Sequence, residues 1–254
     1  MRLTEFTGFT LKPKVLGLVV FLLLGSAGAV RGQIPDEFTN LQVLDEEISQ
    51  GELLGVMRGF SGALGVRCNF CHMGDDPSDF TGYDFASDER EVKVVARGMM
   101  RMLGDINSEL IPSAGRPNHA TVGCVTCHGG IQVPVALGDL MLETVEEEGL
   151  ESAVARYREV RAEYYGGRAY DFSQGQLNNV TETLARQGDL EDALAIARLN
   201  IEFNNEAFPH ALEAEILMEL GDLEAAIQAM ERAVELAPDS PFFKQQLERM
   251  RNPG

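Results

Sequence analysis

Two short stretches of the chain pair two cysteines with a histidine at the same spacing. The first motif is Cys68–His72 and the second motif is Cys124–His128. Two cysteines three positions apart, with a histidine directly after the second, are typical of covalent attachment of a c-type haem. In such sites both thiols bond to the porphyrin edge and the histidine ligates the iron. The sequence therefore predicts two covalently bound haem c groups.

The two motifs use every cysteine of the chain, so none remains for a structural disulfide. The residues expected to attach haem are Cys68, Cys71, Cys124 and Cys127, and the expected iron ligands are His72 and His128. A zinc site is the main alternative, but zinc ribbons usually separate their cysteine pairs by roughly 15–20 residues. Zinc also gives no reason for a histidine at the same offset twice. A thioredoxin-like redox motif needs only one such cysteine pair.

The overall charge limits the classes of partner. The 254 residues include 21 basic and 40 acidic side chains, which gives a net charge of −19. Nucleic-acid binding depends on clustered lysine and arginine, so no nucleic-acid partner is expected. A redox protein with a basic docking surface is the natural electrostatic complement.

The first 29 residues have the features of an export signal. Lys12 and Lys14 precede the apolar run 15–24, and small residues follow up to Ala29. This order fits a cleaved signal peptide, and the run is short of the roughly 20 residues that span a bilayer. We expect cleavage after Ala29 and a periplasmic or extracellular protein, with an uncleaved membrane anchor as the alternative.

A helix is expected directly before the first motif. Ser49 and Glu52 form a capping-box pattern, and an apolar stripe at helical spacing follows it: Leu53, Met57, Phe60 and Leu64. This face points toward the first motif. Met57 is therefore either a sixth iron ligand or ordinary core filling.

A second helix is expected to begin near Ser87 or Asp88 and to end around Pro112. Its apolar stripe comprises Val92, Val95, Met99, Met102, Ile106 and Leu110. Met99 and Met102 are both candidate ligands of the second iron, whereas Met100 points elsewhere. His119 is another candidate, or a loop histidine that binds no metal.

The region resembles the cytochrome c subunit of photosynthetic reaction centres. The resemblance spans roughly residues 38–137 and rests on three stretches, namely 57–72, 95–107 and 122–129. It implies that Met57 is the sixth ligand of one haem and that Met99 is the corresponding methionine of the other. It also implies that His119 occupies the place of a histidine that crosses to a second pair of haems. Family members of this type carry four haems, whereas this chain has the content of one half.

The C-terminal region is rich in alanine, leucine and glutamate and contains a repeat. The segments 188–193 and 221–226 have nearly the same sequence, at a spacing close to the tetratricopeptide period of about 34 residues. A weaker copy begins at Leu150. Such helical hairpins stack and commonly bind another protein, although they can also only shield a neighbouring domain. His210 is expected to be a core residue.

These features predict an all-α protein: a signal peptide at 1–29, a small dihaem cytochrome domain at 30–137, and a helical-hairpin solenoid at 138–254. A haem with histidine and methionine ligands leaves no site for substrate, so electron transfer is expected and enzymatic activity is not. Two alternatives remain. Identical subunits could assemble into a conducting filament, with His119 ligating across the interface, or one iron could lack a sixth ligand and act as a peroxidase.

Overall fold

The computed structural model describes residues 34–76, 78–115 and 121–252, most of which lie in helices, with no β-strand among them. Only an isolated antiparallel bridge joins Met73 and Asp84. The all-α prediction is confirmed. The export signal predicted at 1–29 and the candidate ligand His119 lie outside the described residues.

The helix predicted before the first motif is present. Helix α1 spans Gln50–Leu64, and the hydroxyl of Ser49 accepts a hydrogen bond from the backbone N–H of Glu52. The Glu52 carboxylate accepts one from the backbone N–H of Ser49 in return. The predicted capping box therefore fixes where the helix begins. Helix α2 then covers Cys68–Cys71.

The second predicted helix begins later than expected, and the start near Ser87 or Asp88 is wrong. Helix α3 covers Glu91–Asp105. The ammonium group of Lys93 donates hydrogen bonds to the carbonyl oxygens of 85, 86 and 87 at 2.7–2.9 Å. These hydrogen bonds satisfy three loop carbonyls, and Arg90 is the N-cap residue of the helix.

Helix α3 continues past its last regular turn. A π-helical segment, Ile106–Leu110, leads into helix α4, Ile111–Ser113, which contains Pro112. Helix α5, Cys124–His128, then carries the whole second motif.

The remaining described residues form three helical hairpins and one further helix. Their bounds are α6 Leu137–Glu148, α7 Leu150–Tyr164, α8 Gln174–Gln187, α9 Leu190–Phe203, α10 Ala207–Glu219, α11 Leu223–Leu236 and α12 Pro241–Arg251. Each hairpin turns at a glycine with positive φ, namely Gly149, Gly188 or Gly221. The predicted repeat segments therefore mark the turns of the hairpins. His210 lies buried at the start of α10, as predicted, with its Nε2 atom 2.8 Å from Oδ1 of Asn205.

A buried hydrophobic cluster begins at Leu137, the last residue of the predicted cytochrome domain. Leu137 and Met141 of α6 pack in one buried cluster with Tyr157 of α7 and Val180 of α8. Alanines with no exposed surface allow the hairpin helices to approach closely, namely Ala153, Ala193 and Ala226. The domain limits stay predictions.

Among the described residues, no helix combines the length and the apolar character needed to cross a membrane.

Replacing Ser49 with Ala should lower the free energy of unfolding by about 1 kcal/mol, because the side-chain acceptor at the start of α1 is lost. Urea denaturation followed by circular dichroism measures this change. Ser108→Ala is the control, since Ser108 is exposed and its replacement should change stability by less than about 0.5 kcal/mol. Equal effects of the two substitutions would contradict the role of the cap.

Candidate haem-binding sites

A cavity of about 580 Å³ opens beside the first motif. Its volume is within the range of cofactor pockets, roughly 300–1,000 Å³. The predicted apolar face of α1 lines it through Leu53, Met57, Phe60 and Leu64, and Cys68, Cys71 and His72 complete that wall. We call this space the first cavity. The structure thus brings together Met57 and the three residues of the first motif that could hold a haem.

His72 lies at the wall of the first cavity in a form suited to bind a metal. Burial lowers the pKa of His72, and the nearby Lys93 ammonium lowers it further. The imidazole is therefore neutral at pH 7, as a metal ligand must be. Its Nδ1 atom is buried and makes no hydrogen bond within the described chain. The ring of Phe85 packs edge-on against the His72 ring, with centroids 5.2 Å apart, and fixes its orientation.

Helix α3 also lines the first cavity. Lys93, Ala96, Arg97 and Met100 recur at helical spacing and all line the cavity. Arg97 is 6% exposed, and its Nη2 atom lies 2.8 Å from Oδ1 of Asp88. Asn40 also donates a hydrogen bond to the Asp88 carboxylate, 3.0 Å away. These hydrogen bonds, with that of Arg97 first, hold the pKa of Asp88 far below its usual range.

The predicted apolar stripe of α3 faces away from the first cavity. Met99 is 46% exposed and Met102 is 50% exposed, and Val95 and Leu110 on the same stripe are exposed as well. As predicted, Met100 does not lie on this apolar stripe. It lines the first cavity instead. Helix α3 therefore has one face toward the first cavity and a second, apolar face that no described residue covers.

The second motif holds its histidine in a defined orientation. Nδ1 of His128 lies 3.1 Å from the carbonyl oxygen of Ile131, and the Ile131 N–H donates back to the His128 carbonyl at 2.9 Å. A backbone partner at one ring nitrogen is the usual arrangement in a metal-binding histidine, and it leaves Nε2 for the metal. The donor set therefore fits a haem iron.

Backbone contacts around the second motif are very close. Gly129 ends α5 with φ of 60°, and a Cβ atom at this position would lie 2.4 Å from the carbonyl oxygen of Arg168. Only glycine combines this left-handed conformation with such an approach. The loop between α7 and α8 thus supports the residue that follows His128.

Asn107 ties α3 to the approach of the second motif. Its side-chain amide donates to the carbonyl of Val122 at 2.9 Å and accepts from the Val122 N–H at 2.9 Å. It also donates to the carbonyl of Leu103 at 3.0 Å. The pair of hydrogen bonds to Val122 places the chain just before Cys124 beside the C-terminal part of α3.

Helix α1 joins the two motifs. Its side chains line the first cavity, and at its C-terminal end the carbonyl of Ala63 accepts a hydrogen bond of 2.9 Å from the Gly130 N–H. Gly65, which ends α1 with φ of 67°, would place a Cβ atom only 2.1 Å from the Gly130 carbonyl oxygen. The two candidate sites therefore belong to one packed unit.

Sequence reasoning found the motif residues but not the residues that position them. It gave no role to Arg97, Lys93 or Asn107, and it did not place Met100 in the first cavity. The helical spacing from Lys93 to Met100 was a signal that could have shown a second face of α3. Within the described residues, no group of three or more His, Cys, Asp or Glu side chains is arranged to hold a metal ion without a porphyrin.

Comparison with known proteins agrees with this geometry. The family profile described as photosynthetic reaction centre cytochrome c subunit matches residues 36–172, more than half of the chain. The chain belongs to this family. Membership of this family implies a covalently bound haem c group within residues 36–172. A tetratricopeptide repeat profile matches residues 210–240. The first match extends past the predicted domain limit at 137 and includes α6 and α7.

Two curated relatives align with part of the chain. Cytochrome c-554 of Chloroflexus aurantiacus is 38% identical over 90 residues, which cover 35% of this chain and 20% of the relative. The photosynthetic reaction center cytochrome c subunit of Rubrivivax gelatinosus is 33% identical over 100 residues, which cover 35% of this chain and 26% of the relative. The chain thus spans only about a fifth to a quarter of the length of these relatives.

Replacing Gly129 with Ala should reduce haem attachment at the second motif by at least about half and spare the first motif, because the new methyl group displaces the Arg168 backbone. Peptide mass spectrometry of the two motifs measures the attached haem. Gly221→Ala is the matched control, since Gly221 also has positive φ (86°) but open space around its Cβ position. The control should lose about 1–2 kcal/mol of stability and keep both haems. Full haem content in Gly129→Ala would contradict the close support of this site.

Proposed function

We propose that the chain is an exported dihaem c-type cytochrome that transfers electrons between redox partners. The observation that carries the proposal is the packing of α1 against both motifs. Because one helix lines the first cavity and hydrogen-bonds the turn after the second motif, two haems attached there would lie close to each other. Bound haem supplies a metal centre that accepts and releases one electron.

The first haem would be held by the thiols of Cys68 and Cys71 and by His72, with Met57 as the sixth ligand. Met57 is supported by its place on α1, where its helical face borders the same cavity as His72. A neutral thioether ligand favours the ferrous iron and raises the reduction potential. With His72 and Met57 both bound to the iron, the first site would leave no position for a substrate.

The second haem would be held by Cys124, Cys127 and His128. The apolar face of α3 that no described residue covers is its proposed neighbour, because Asn107 holds the start of the second motif next to that helix. Met99 is the proposed sixth ligand, and Met102 and His119 remain the alternatives.

The acidic surface suits a partner with a basic docking patch, since the net charge of −19 would attract it over a long range.

Export and a periplasmic or extracellular location follow from the predicted signal peptide. The limits 30–137 and 138–254 are proposed for the cytochrome and repeat regions. Long filaments in electron micrographs, or peroxide turnover by a high-spin haem, would instead support the conducting filament or the peroxidase.

The haem number is tested by intact mass spectrometry of the purified mature protein. We expect the mass of the polypeptide plus two haem groups, and the Cys124→Ala/Cys127→Ala double variant should lose one of them. The corresponding Cys68→Ala/Cys71→Ala variant should lose the other. A mature protein with the polypeptide mass alone would end the proposal.

Replacing Met57 with Ala should lower the midpoint potential of one haem by about 0.1 V or more, within the range of about 0.8 V that axial ligands control. Spectroelectrochemical titration resolves the two haems. Met100→Ala is the matched control, because Met100 of α3 lines the same cavity. We expect a much smaller shift in the control. A large shift in Met100→Ala together with none in Met57→Ala would assign the ligand to α3 instead.

A further inference from the structure

The wall of the first cavity has the opposite charge from the chain as a whole. The chain carries 40 acidic side chains against 21 basic ones, but the cavity is lined by four cationic side chains and two carboxylates. The cations are Arg58, Arg67, Lys93 and Arg97, and the carboxylates are Glu37 and Asp84. A surplus of positive charge beside an apolar cavity points to an anionic group on the ligand.

Arg97 is the most deeply buried of these cations, with only 6% of the residue exposed. Its Nη2 atom donates to Asp88 at 2.8 Å and to the carbonyl of Asn40 at 3.3 Å. Both of these hydrogen bonds use Nη2, and Arg97 lines the first cavity. A buried guanidinium is stable only when its charge is compensated, so a further anionic acceptor beside Arg97 would be favourable.

The neighbours of Arg97 cannot supply that acceptor. Lys93 is itself a cation, and its ammonium group already donates to three backbone carbonyls. Asp88 is the one carboxylate paired with both Lys93 and Arg97 in the described structure, at 3.3 Å and 2.8 Å. One carboxylate between two buried cations leaves a charge of about +1 at this wall.

We propose that Arg97 binds a propionate of the haem attached to the first motif. A carboxylate matches the planar fork of a guanidinium, which pairs with it through two parallel hydrogen bonds. This inference rests on the proposed function, because it requires a haem in the first cavity. It adds that α3 sets the potential of that haem: the charge of about +1 at this wall neutralises the propionate, whose uncompensated negative charge near the iron would favour the ferric state.

The test replaces Arg97 with Gln or with Lys in the full-length mature protein. Arg101→Gln is the matched control, because Arg101 is an exposed arginine on the same helix and its charge is screened by solvent. Intact mass first establishes that each variant carries two haems. Redox titration then gives the ratio of ferrous to ferric iron at each haem, and resonance Raman spectra report hydrogen bonding of the propionates.

In Arg97→Gln the ferrous-to-ferric ratio of one haem should fall about tenfold at a fixed applied potential. This corresponds to a midpoint potential lower by about 59 mV for one electron. The affected haem should be the one whose potential Met57→Ala shifts. Arg97→Lys keeps the charge and loses the fork, so it should change the potential less and still alter the propionate band. Arg101→Gln should change neither reading.

An unaltered potential and propionate band in Arg97→Lys and Arg97→Gln, with two haems present, would overturn this inference and leave the proposed function intact. An equal effect of Arg101→Gln would overturn it as well. If the Arg97→Gln variant does not retain the first haem, the Arg97→Lys variant alone tests the inference. A wild-type protein without haem would contradict the proposed function itself.

Discussion

The hydrogen bond from the Gly130 N–H to the Ala63 carbonyl joins the end of α1 to the turn behind the second motif. Gly65 makes this contact possible, because a Cβ atom there would lie 2.1 Å from the Gly130 carbonyl oxygen. Met57 of the same helix lines the first cavity, so α1 contacts both sites and fixes their relative position. Both histidines are thereby fixed in a single packed unit, which is what electron exchange between two haems requires.

The helical hairpins are part of this unit and not only an appendage. The loop between α7 and α8 lies against Gly129, and Leu137 at the start of α6 packs with the buried residues of α7 and α8. The family match to residue 172 includes the same hairpin. The boundary at 137, drawn from the change in composition, stays a prediction, and the close approach of Gly129 to Arg168 joins residues on its two sides. The last two hairpins, α8 to α11, carry the repeat pattern most clearly.

Local patterns in the sequence predicted the local structure well. The capping box at Ser49, the apolar face of α1 and the glycine turns of the repeats each depend on neighbouring residues, so periodicity and spacing were enough. The start of α3 was missed at a place where the Lys93 side chain donates to the carbonyls of three preceding loop residues, an interaction that local propensity does not contain. Asn107 and Arg97 were missed for the same reason, since their partners Val122 and Asn40 are distant in the sequence.

Exchange of an electron between two haems of one molecule is the most direct test of the central claim. A flash-generated reductant can deliver less than one electron per oxidised protein, and absorbance changes at the two haems can then be followed in time. We predict that the electron redistributes between the haems at a rate that does not depend on protein concentration. A redistribution that slows in proportion to dilution, or a single reducible haem, would contradict a two-haem relay within one chain.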